Sequence, residues 1–276
     1  MSSAELHVGC AMWTHKAWPF SGLRAYAGWC TAVEGNTTFY ATPARDTVAS
    51  WAAQTDPSFR FVMKLPKVIT HERRLADVSL LRPFLDALEP LGPRLHALWI
   101  QLPGSFTPAD TGVLARFLTL LPASYRYAVE VRHAGFFEHP RTLESALAVA
   151  GAEWIPFDTT GFYARPPTSD VERDAWTAKP RMPLRTTALT DRPIVRYLGR
   201  DSIAATVEGW QGWVEVVAGW LGEGRSPTVF LHTPDNVDAP ALARRFHDEV
   251  RARVPSLAPL PAPAPIGPPA EQPTLF

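Results

Sequence analysis

The chain has 276 residues, 46% hydrophobic and 20% charged, with 27 lysines and arginines balancing 27 aspartates and glutamates. That length suits one large domain, and a net charge of zero with a pI near 7.1 provides no bulk attraction to nucleic acid or an anionic membrane. Cys10 and Cys30 are too few for a disulfide framework or a paired-cysteine metal site. No apolar stretch reaches the roughly 20 residues that span a bilayer, and MSSAELHVG has no secretory pattern, so a cytoplasmic location is expected.

Eight short apolar runs follow one another: HVGCAMW from His7, AVEGNTTFY from Ala32, RFVMKLP from Arg60, ALWIQLP from Ala97, YAVEVRH from Tyr127, AEWIPFD from Ala152, PIVRYLG from Pro193 and TVFLHTP from Thr228. Runs of this length separated by helix-like stretches read as parallel strands buried on both faces. Between them, Thr42-Pro43 opens a helix carrying Val48 and Trp51, and Leu81, Phe84, Leu85, Leu88 and Leu91 recur at helical spacing. Asp110 caps a helix whose inner face is Val113, Leu114, Phe117, Leu118 and Leu121. Pro140 opens another, bearing Leu143 and Leu147 and closed by Gly151. Val207, Trp210, Val214, Val217 and Leu221 make a stripe, and Asp238 caps a final helix with Leu242, Phe246 and Val250. WTHKAWPFSG reads as a loop.

This alternation predicts an α/β fold of the (β/α)8 TIM-barrel type over residues 1–254. A doubly wound open sheet is the competing architecture, but no run is followed by GxGxxG or GxxxxGK[ST]. The stretch Thr159 to Arg192, rich in Pro, Thr and Arg, is expected to be a functional lid or disordered. From residue 255 to 276 a Pro/Ala-rich tail is expected to be extended and flexible.

A parallel barrel carries the polar residues closing its strands to one common end, where such enzymes build their sites. The candidates are Glu34, Asn36, Lys64, Gln101, Glu130, Arg132, His133, Asp158, Arg196 and His232. Charges inside apolar runs are costly unless paired or used. One reading is a buried ion-pair network, Glu34 with Lys64 and Glu130 with Arg196, that merely closes the barrel mouth. The other is a site in which Lys64, Arg132 and Arg196 bind an anion, Glu34 and Glu130 act as acid and base, and Asn36 and Gln101 orient the substrate, with Asp158 alongside. Two glutamates also suit glycoside hydrolysis, which depends on their separation. His15, His71, His133 and His232 lie near the expected rim and, with Glu34, Glu130 or Asp158, would supply donors for a divalent metal. Without HExxH spacing, no metal ligand and no cofactor is assigned. Trp13, Trp18, Phe39, Tyr40, Phe136, Phe137 and Phe162 read as a stacking wall or, for most of them, as loop packing.

VEGNTTFY at 33–40, FVMKLPKVITHERRL at 61–75, WIQLPGSF at 99–106, VEVRHAGFF at 129–137 and IVRYLGR at 194–200 resemble the DUF72 (YecE-like) family of (β/α)8 barrels, in order and spacing, from about residue 6 to 250. The resemblance implies the barrel and a polar pocket at its C-terminal face, with matching positions Glu34, Asn36, Lys64, His71, Gln101, Glu130, Arg132 and Arg196. It implies no reaction, because the family is one of unknown function. The eighth run departs from the family's asparagine-rich ending: it reads FLHTPDN, with His232 and Thr233 in place and Asn236 as a substitute.

The final QPTLF is a separate signal. Gln272, Leu275 and Phe276 resemble the peptide by which bacterial DNA-processing proteins dock on the sliding clamp, two apolar anchors and a hydrogen-bonding Gln on a tether. The alternative is a tail folded back on the barrel. The expected function is a hydrolase or lyase acting on a small anionic, phosphate-bearing substrate, nucleic-acid-derived in one version. The alternatives are a non-catalytic binding module recruited to the clamp and a metal-dependent phosphodiesterase.

Overall fold

The computed structural model describes residues 4–263. Its nine strands are β1 (His7–Cys10), β2 (Ala32–Gly35), β3 (Arg60–Lys64), β4 (Leu95–Gln101), β5 (Tyr127–Glu130), β6 (Glu153–Trp154), β7 (Phe157–Asp158), β8 (Ile194–Leu198) and β9 (Thr228–His232). They form one curled sheet, parallel throughout, in the order β6-β5-β4-β3-β2-β1-β9-β8-β7. Seven of the eight apolar runs yield one strand each; the sixth yields two, because Ile155-Pro156 interrupts it. The two strands at the ends of the order are thus consecutive in the chain. Ile155 N donates to Val129 O on the β5 side (2.8 Å), and Arg196 N donates to Pro156 O on the β8 side (3.0 Å).

Alternation divides the side chains into two layers. Ala32, Val62, Ala97, Trp99, Ala128, Ile155, Ile194 and Phe230 form a separate buried cluster on the concave side of the sheet. Trp99 and Phe230 stack there with ring centres 6.2 Å apart. Room for these rings comes from Gly9, where an added Cβ would lie 2.1 Å from Ala32 O and 3.2 Å from the Phe230 ring. The residues between them, such as Val33, Phe61, Met63, Leu98, Ile100 and Val129, face outward into the larger core under the helices.

The helices follow the periodicity closely. Residues Leu81–Leu88 and Pro140–Val149 bury the expected apolar positions, and Gly151 closes the latter in the left-handed region at φ 60°. The first long helix begins at Arg45, later than Thr42-Pro43, because the chain stays extended through Ala44. Asp110 does not cap alone: its carboxylate accepts from Thr107 N at 2.7 Å in a capping box, and Val113 is exposed rather than inward. The apolar stripe from Val207 is carried by two helices, Ile203–Gly209 and Gln211–Gly222, meeting at Trp210.

The stretch 159–192 is a tethered strap containing helices Thr160–Tyr163 and Asp170–Ala178. Buried Glu172 receives Arg200 through Nε (2.9 Å) and Nη2 (2.6 Å). Arg185 pairs with Glu144 at 2.8 Å while its guanidinium lies 4.2 Å from the Trp154 ring centre. Glu153 accepts from Leu189 N, Thr190 N and Thr190 Oγ1. The segment assigned to the tail begins docked: Leu257 is buried, and Arg244 Nη2 donates to Pro261 O at 2.8 Å. Gln272, Leu275 and Phe276 lie outside the described residues. Among the described residues, no helix is long and apolar enough to cross a membrane.

Candidate functional site

The concave face carries one rule on strand after strand: an apolar residue at one position, a polar residue two further on. Ala32 is followed by Glu34, Val62 by Lys64, Trp99 by Gln101, Ala128 by Glu130, Ile194 by Arg196 and Phe230 by His232. A period of two puts both members on the same face, so the apolar cluster floors a polar layer at the C-terminal ends of the strands. The parallel register brings the six polar side chains together.

Glu34 is the hub. Its Oε1 lies 2.7 Å from Lys64 Nζ, and its Oε2 lies 3.2 Å from Arg196 Nε and 2.9 Å from His232 Nε2. Lys64 Nζ also donates to Gln101 Oε1 at 2.8 Å and sits 4.5 Å from the Trp99 ring centre. Glu130 Oε1 accepts from Arg132 Nε at 2.7 Å, and its Oε2 faces Arg196 Nη1 at 3.5 Å. Arg196 stacks over Phe157 with 4.3 Å from guanidinium carbon to ring centre.

Burial pushes the Glu34 carboxyl up, but Arg196, Lys64 and His232 together outweigh it and hold the group well below the usual range. Glu130 behaves the same way, with Arg132, Arg196 and Lys64 prevailing over burial. Both are carboxylates at neutral pH. Burial pulls Lys64 down to about 8, despite Glu34, and pulls His232 down to about 4, with Arg196 acting in the same direction. Neutral His232 therefore serves best as the Nε2–H tautomer, donating to the Glu34 oxygen that Arg196 Nε also reaches, an assignment made from the network. Burial thus brings Lys64 nearer to neutrality than an ordinary lysine.

The remaining expected residues divide. Arg132, with a quarter of its side chain exposed, sits at the solvent edge of the cluster. His71, on the short helical turn Val68–Glu72, bonds through Nδ1 to Thr70 Oγ1 (2.9 Å) and packs edge-on to Phe39; burial, then Arg132 and Lys64, lower its pKa. Asn36 Nδ2 donates to Ala11 O at 2.8 Å, tying the ends of β1 and β2. Asp158 does not join the cluster. Its neighbour Phe157 faces Arg196, so Asp158 points outward, where Oδ1 caps Thr160 and Oδ2 accepts from Trp213 Nε1 at 2.6 Å. His133 Nδ1 accepts from Gly135 N and His15 Nδ1 from Ala17 N, both as local turn partners. Asn236 takes the left-handed region at φ 60°; its carbonyl accepts from Trp18 Nε1 and its side chain from Thr233 N. Most of the aromatic wall packs loops: Trp18, Phe136 and Phe162 are buried, whereas Tyr40 is open to solvent.

One strand-end candidate without an assigned role, His232, joins the site, and one residue, Lys179, comes to it from outside the expected set. His232 occupies the position two beyond Phe230, a spacing the sequence does contain. Lys179, half-buried at the end of the helix Asp170–Ala178, feels Arg196 and Arg132 as like charges after burial, and Glu34 and Glu130 as opposite ones. No local pattern marks it, because the strap brings it there. Among the described residues, no three His, Cys, Asp or Glu side chains gather in a way that would hold a metal ion.

A parallel α/β sheet with its polar groups collected at the strands' C-terminal ends defines the class. Residues 7–265 match the model of the family described as "Protein of unknown function DUF72". The chain belongs to the DUF72 family. It is 35% identical over 264 residues to the UPF0759 protein YecE of Escherichia coli strain K12, and equally to that of strain O157:H7, covering 93% of this chain and 97% of the relative. Among solved structures, a DUF72 family protein of Enterococcus faecalis V583 superposes with a TM-score of 0.69 at 18% identity, covering 92% of this chain and 99% of that one. One from Thermotoga maritima MSB8 gives 0.68 at 20% identity, covering 90% and 99%.

Proposed function

We propose that the sheet closes as a (β/α)8 barrel through the split sixth strand, and that its C-terminal mouth is an enzyme site for a small phosphate-bearing substrate, worked as a hydrolase or lyase. The carrying observation is a charge imbalance at the edge of a buried layer. Lys64, Arg132, Lys179 and Arg196 bring four cationic groups, against the two carboxylates Glu34 and Glu130. His232 adds no counter-charge. Lys64 and Arg196 balance the two carboxylates in the buried layer, so the excess positive charge falls on partly exposed Arg132 and Lys179, which an anion at the edge of the layer would complement. Arg132 at the solvent edge and Arg196 behind it carry planar guanidiniums whose forked N–H donors can each reach two oxygens of a tetrahedral phosphate.

The two glutamates, held ionised by their neighbours, serve as proton acceptors and positioners, not as acids. Lys64, with a pKa near 8, is the proton donor suited to a departing oxygen at neutral pH. Gln101, bonded to Lys64, orients it. The same pocket without turnover would be a binding module. Inorganic phosphate release from a panel of phosphate esters, compared between the native chain and Lys64→Met, tests catalysis, and equilibrium dialysis of the same esters tests binding. Loss of release in Lys64→Met at ester concentrations that saturate its weakened binding supports the enzyme. Binding without release by the native chain supports the binding module, and neither binding nor release sinks both.

A second reading concerns recruitment and rests on the sequence QPTLF alone. Gln272, Leu275 and Phe276 would bring the domain to the DNA sliding clamp. A pull-down with purified clamp should lose the native chain's binding in Leu275→Ala/Phe276→Ala; absence of binding by the native chain removes this reading.

A further inference from the structure

The N-terminal end of the sheet repeats the alternation of the C-terminal end, with the polar layer two residues before the apolar one. His7 precedes Gly9, Arg60 precedes Val62, Arg126 precedes Ala128, Glu153 precedes Ile155, Arg192 precedes Ile194 and Thr228 precedes Phe230. β4 joins by an irregularity. Its register with β3 jumps from Phe61↔Leu95 to Val62↔Ala97, so His96 is the extra residue of a bulge. Bulges re-aim side chains, and this one puts the His96 ring 6.3 Å from that of His7, with Nε2 3.5 Å from Thr228 Oγ1.

Two adjoining cavities open on this end, of about 660 and 260 Å³, and both are lined by Arg60, His96 and Arg192. Arg126 lines the larger, and His7, with the carboxylates Glu5 and Asp191, lines the smaller. The guanidiniums lack carboxylate partners of comparable strength. Arg126 donates only to neutral acceptors, His96 O at 3.2 Å, His96 Nε2 at 3.1 Å and Arg192 O at 3.0 Å. Arg60 has a single long bond to Pro57 O at 3.4 Å. Of the nearby carboxylates, Glu153 is occupied by the strap's backbone, Glu5 pairs with His7, and Asp191 lies 3.9 Å from Arg192. His7 and His96 are buried, and His7 Nδ1 has no hydrogen-bond partner.

Three guanidiniums around a cavity floored by two imidazoles, with no carboxylate among the described residues nearer to any of them than the 3.9 Å of Asp191 from Arg192, make an oxyanion site. We infer that the N-terminal end of the sheet binds a second anion, the phosphate group of a small phosphorylated metabolite, held by Arg60, Arg126 and Arg192 over His7 and His96. The larger cavity falls in the size range of small-molecule sites, and Leu95, Pro93 and Tyr125 give it an apolar wall for the organic part. This site lies at the opposite end of the strands from Glu34 and Lys64, and its existence does not depend on theirs.

Histidine carbon–proton NMR signals of the full chain, assigned with His7→Gln and His96→Gln, test it with two probes, inorganic phosphate and ribose 5-phosphate. The signals of His7 and His96 should move on adding either, with the sugar phosphate saturating at lower concentration. Arg126→Gln should weaken the response at these two signals about tenfold or more, as loss of a charged hydrogen-bond donor does. Half-exposed Arg192→Gln, which removes no buried contact, should weaken it as well and serves if Arg126→Gln does not fold. Movement with phosphate alone points to free phosphate as the ligand and overturns the metabolite. Silent His7 and His96 signals, or an Arg192→Gln response equal to that of the native chain, overturn the site. His71 and His232 report the C-terminal pocket separately, so failure here is distinguishable from failure there.

Discussion

Glu34 Oε1 and Lys64 Nζ lie 2.7 Å apart with both side chains buried, and each also touches a second polar partner on another strand. Replacing one member of a buried pair leaves an uncompensated charge, which typically costs about 3–5 kcal/mol. Glu34→Gln strands both Lys64 and Arg196, so it should sit toward the upper end of that range in urea unfolding. Glu34→Gln/Lys64→Met removes the charge on both sides and should recover a good part of the loss. If the double variant is no more stable than the single, the two side chains are not coupled as the geometry indicates.

Lys64 provides a pH signature for the pocket. Burial lowers its pKa from 10.5 to about 8, so the ammonium is present below that value and lost as pH rises through it. Affinity for sulfate, whose own charge is constant across this range, should therefore be higher on the acid side of about pH 8 and decline above it. Lys64→Met should flatten the decline and lower affinity on the acid side. Dialysis between about pH 7 and about pH 10 measures it; a midpoint near the ordinary lysine value would mean that Lys64 is not desolvated.

Much of this site is readable in the strings themselves, because a polar residue two beyond an apolar one, repeated on parallel strands, has only one place to go. Glu34, Lys64, Gln101, Glu130 and Arg196 all obey it, and so does His232, two beyond Phe230. The same parity separates Asp158 from the cluster, since Phe157 takes the inward position and Trp213 receives Asp158 outside. What parity cannot supply is anything set by distant chain. Lys179 arrives on a strap fixed by Glu172, Arg200 and Arg185, and a Pro- and Thr-rich composition conceals those anchors. The interruption of the sixth run at Pro156 is local, but whether the strand ends there or continues is decided by the neighbours β5 and β8.

Arg132 separates binding from folding. Its side chain is a quarter exposed, while buried Arg196 also faces Glu130. Arg132→Gln should weaken sulfate or phosphate-ester binding about tenfold while moving the unfolding midpoint little, because Glu130 keeps one cation. Arg196→Gln should lower both, since it also releases Glu34. Calorimetric titration beside urea unfolding distinguishes the two variants. Equal losses of stability would place Arg132 in the framework and not in the binding function.

The strap has its own acid switch, because its strongest tether is the Glu172–Arg200 pair. Burial raises the Glu172 carboxyl, but Arg200 and the backbone N–H groups of Thr168 and Asp201 overcome it and bring the pKa down to about 2. A carboxyl depressed below its unfolded value of about 4.3 stabilises the attached state fully above that value, and the stabilisation fades as pH falls toward 2. Hydrogen exchange at residues 164–190 should therefore be slow at neutral pH and accelerate on acidification before the sheet's amides follow. Glu172→Gln should reproduce the acid behaviour at neutral pH, since a neutral amide cannot pair with the two guanidinium nitrogens that Glu172 now receives. Because the strap carries Lys179 to the pocket, the same variant should weaken anion binding with every pocket residue intact. Fast exchange in the strap of Glu172→Gln without any loss of anion affinity would separate Lys179 from the site.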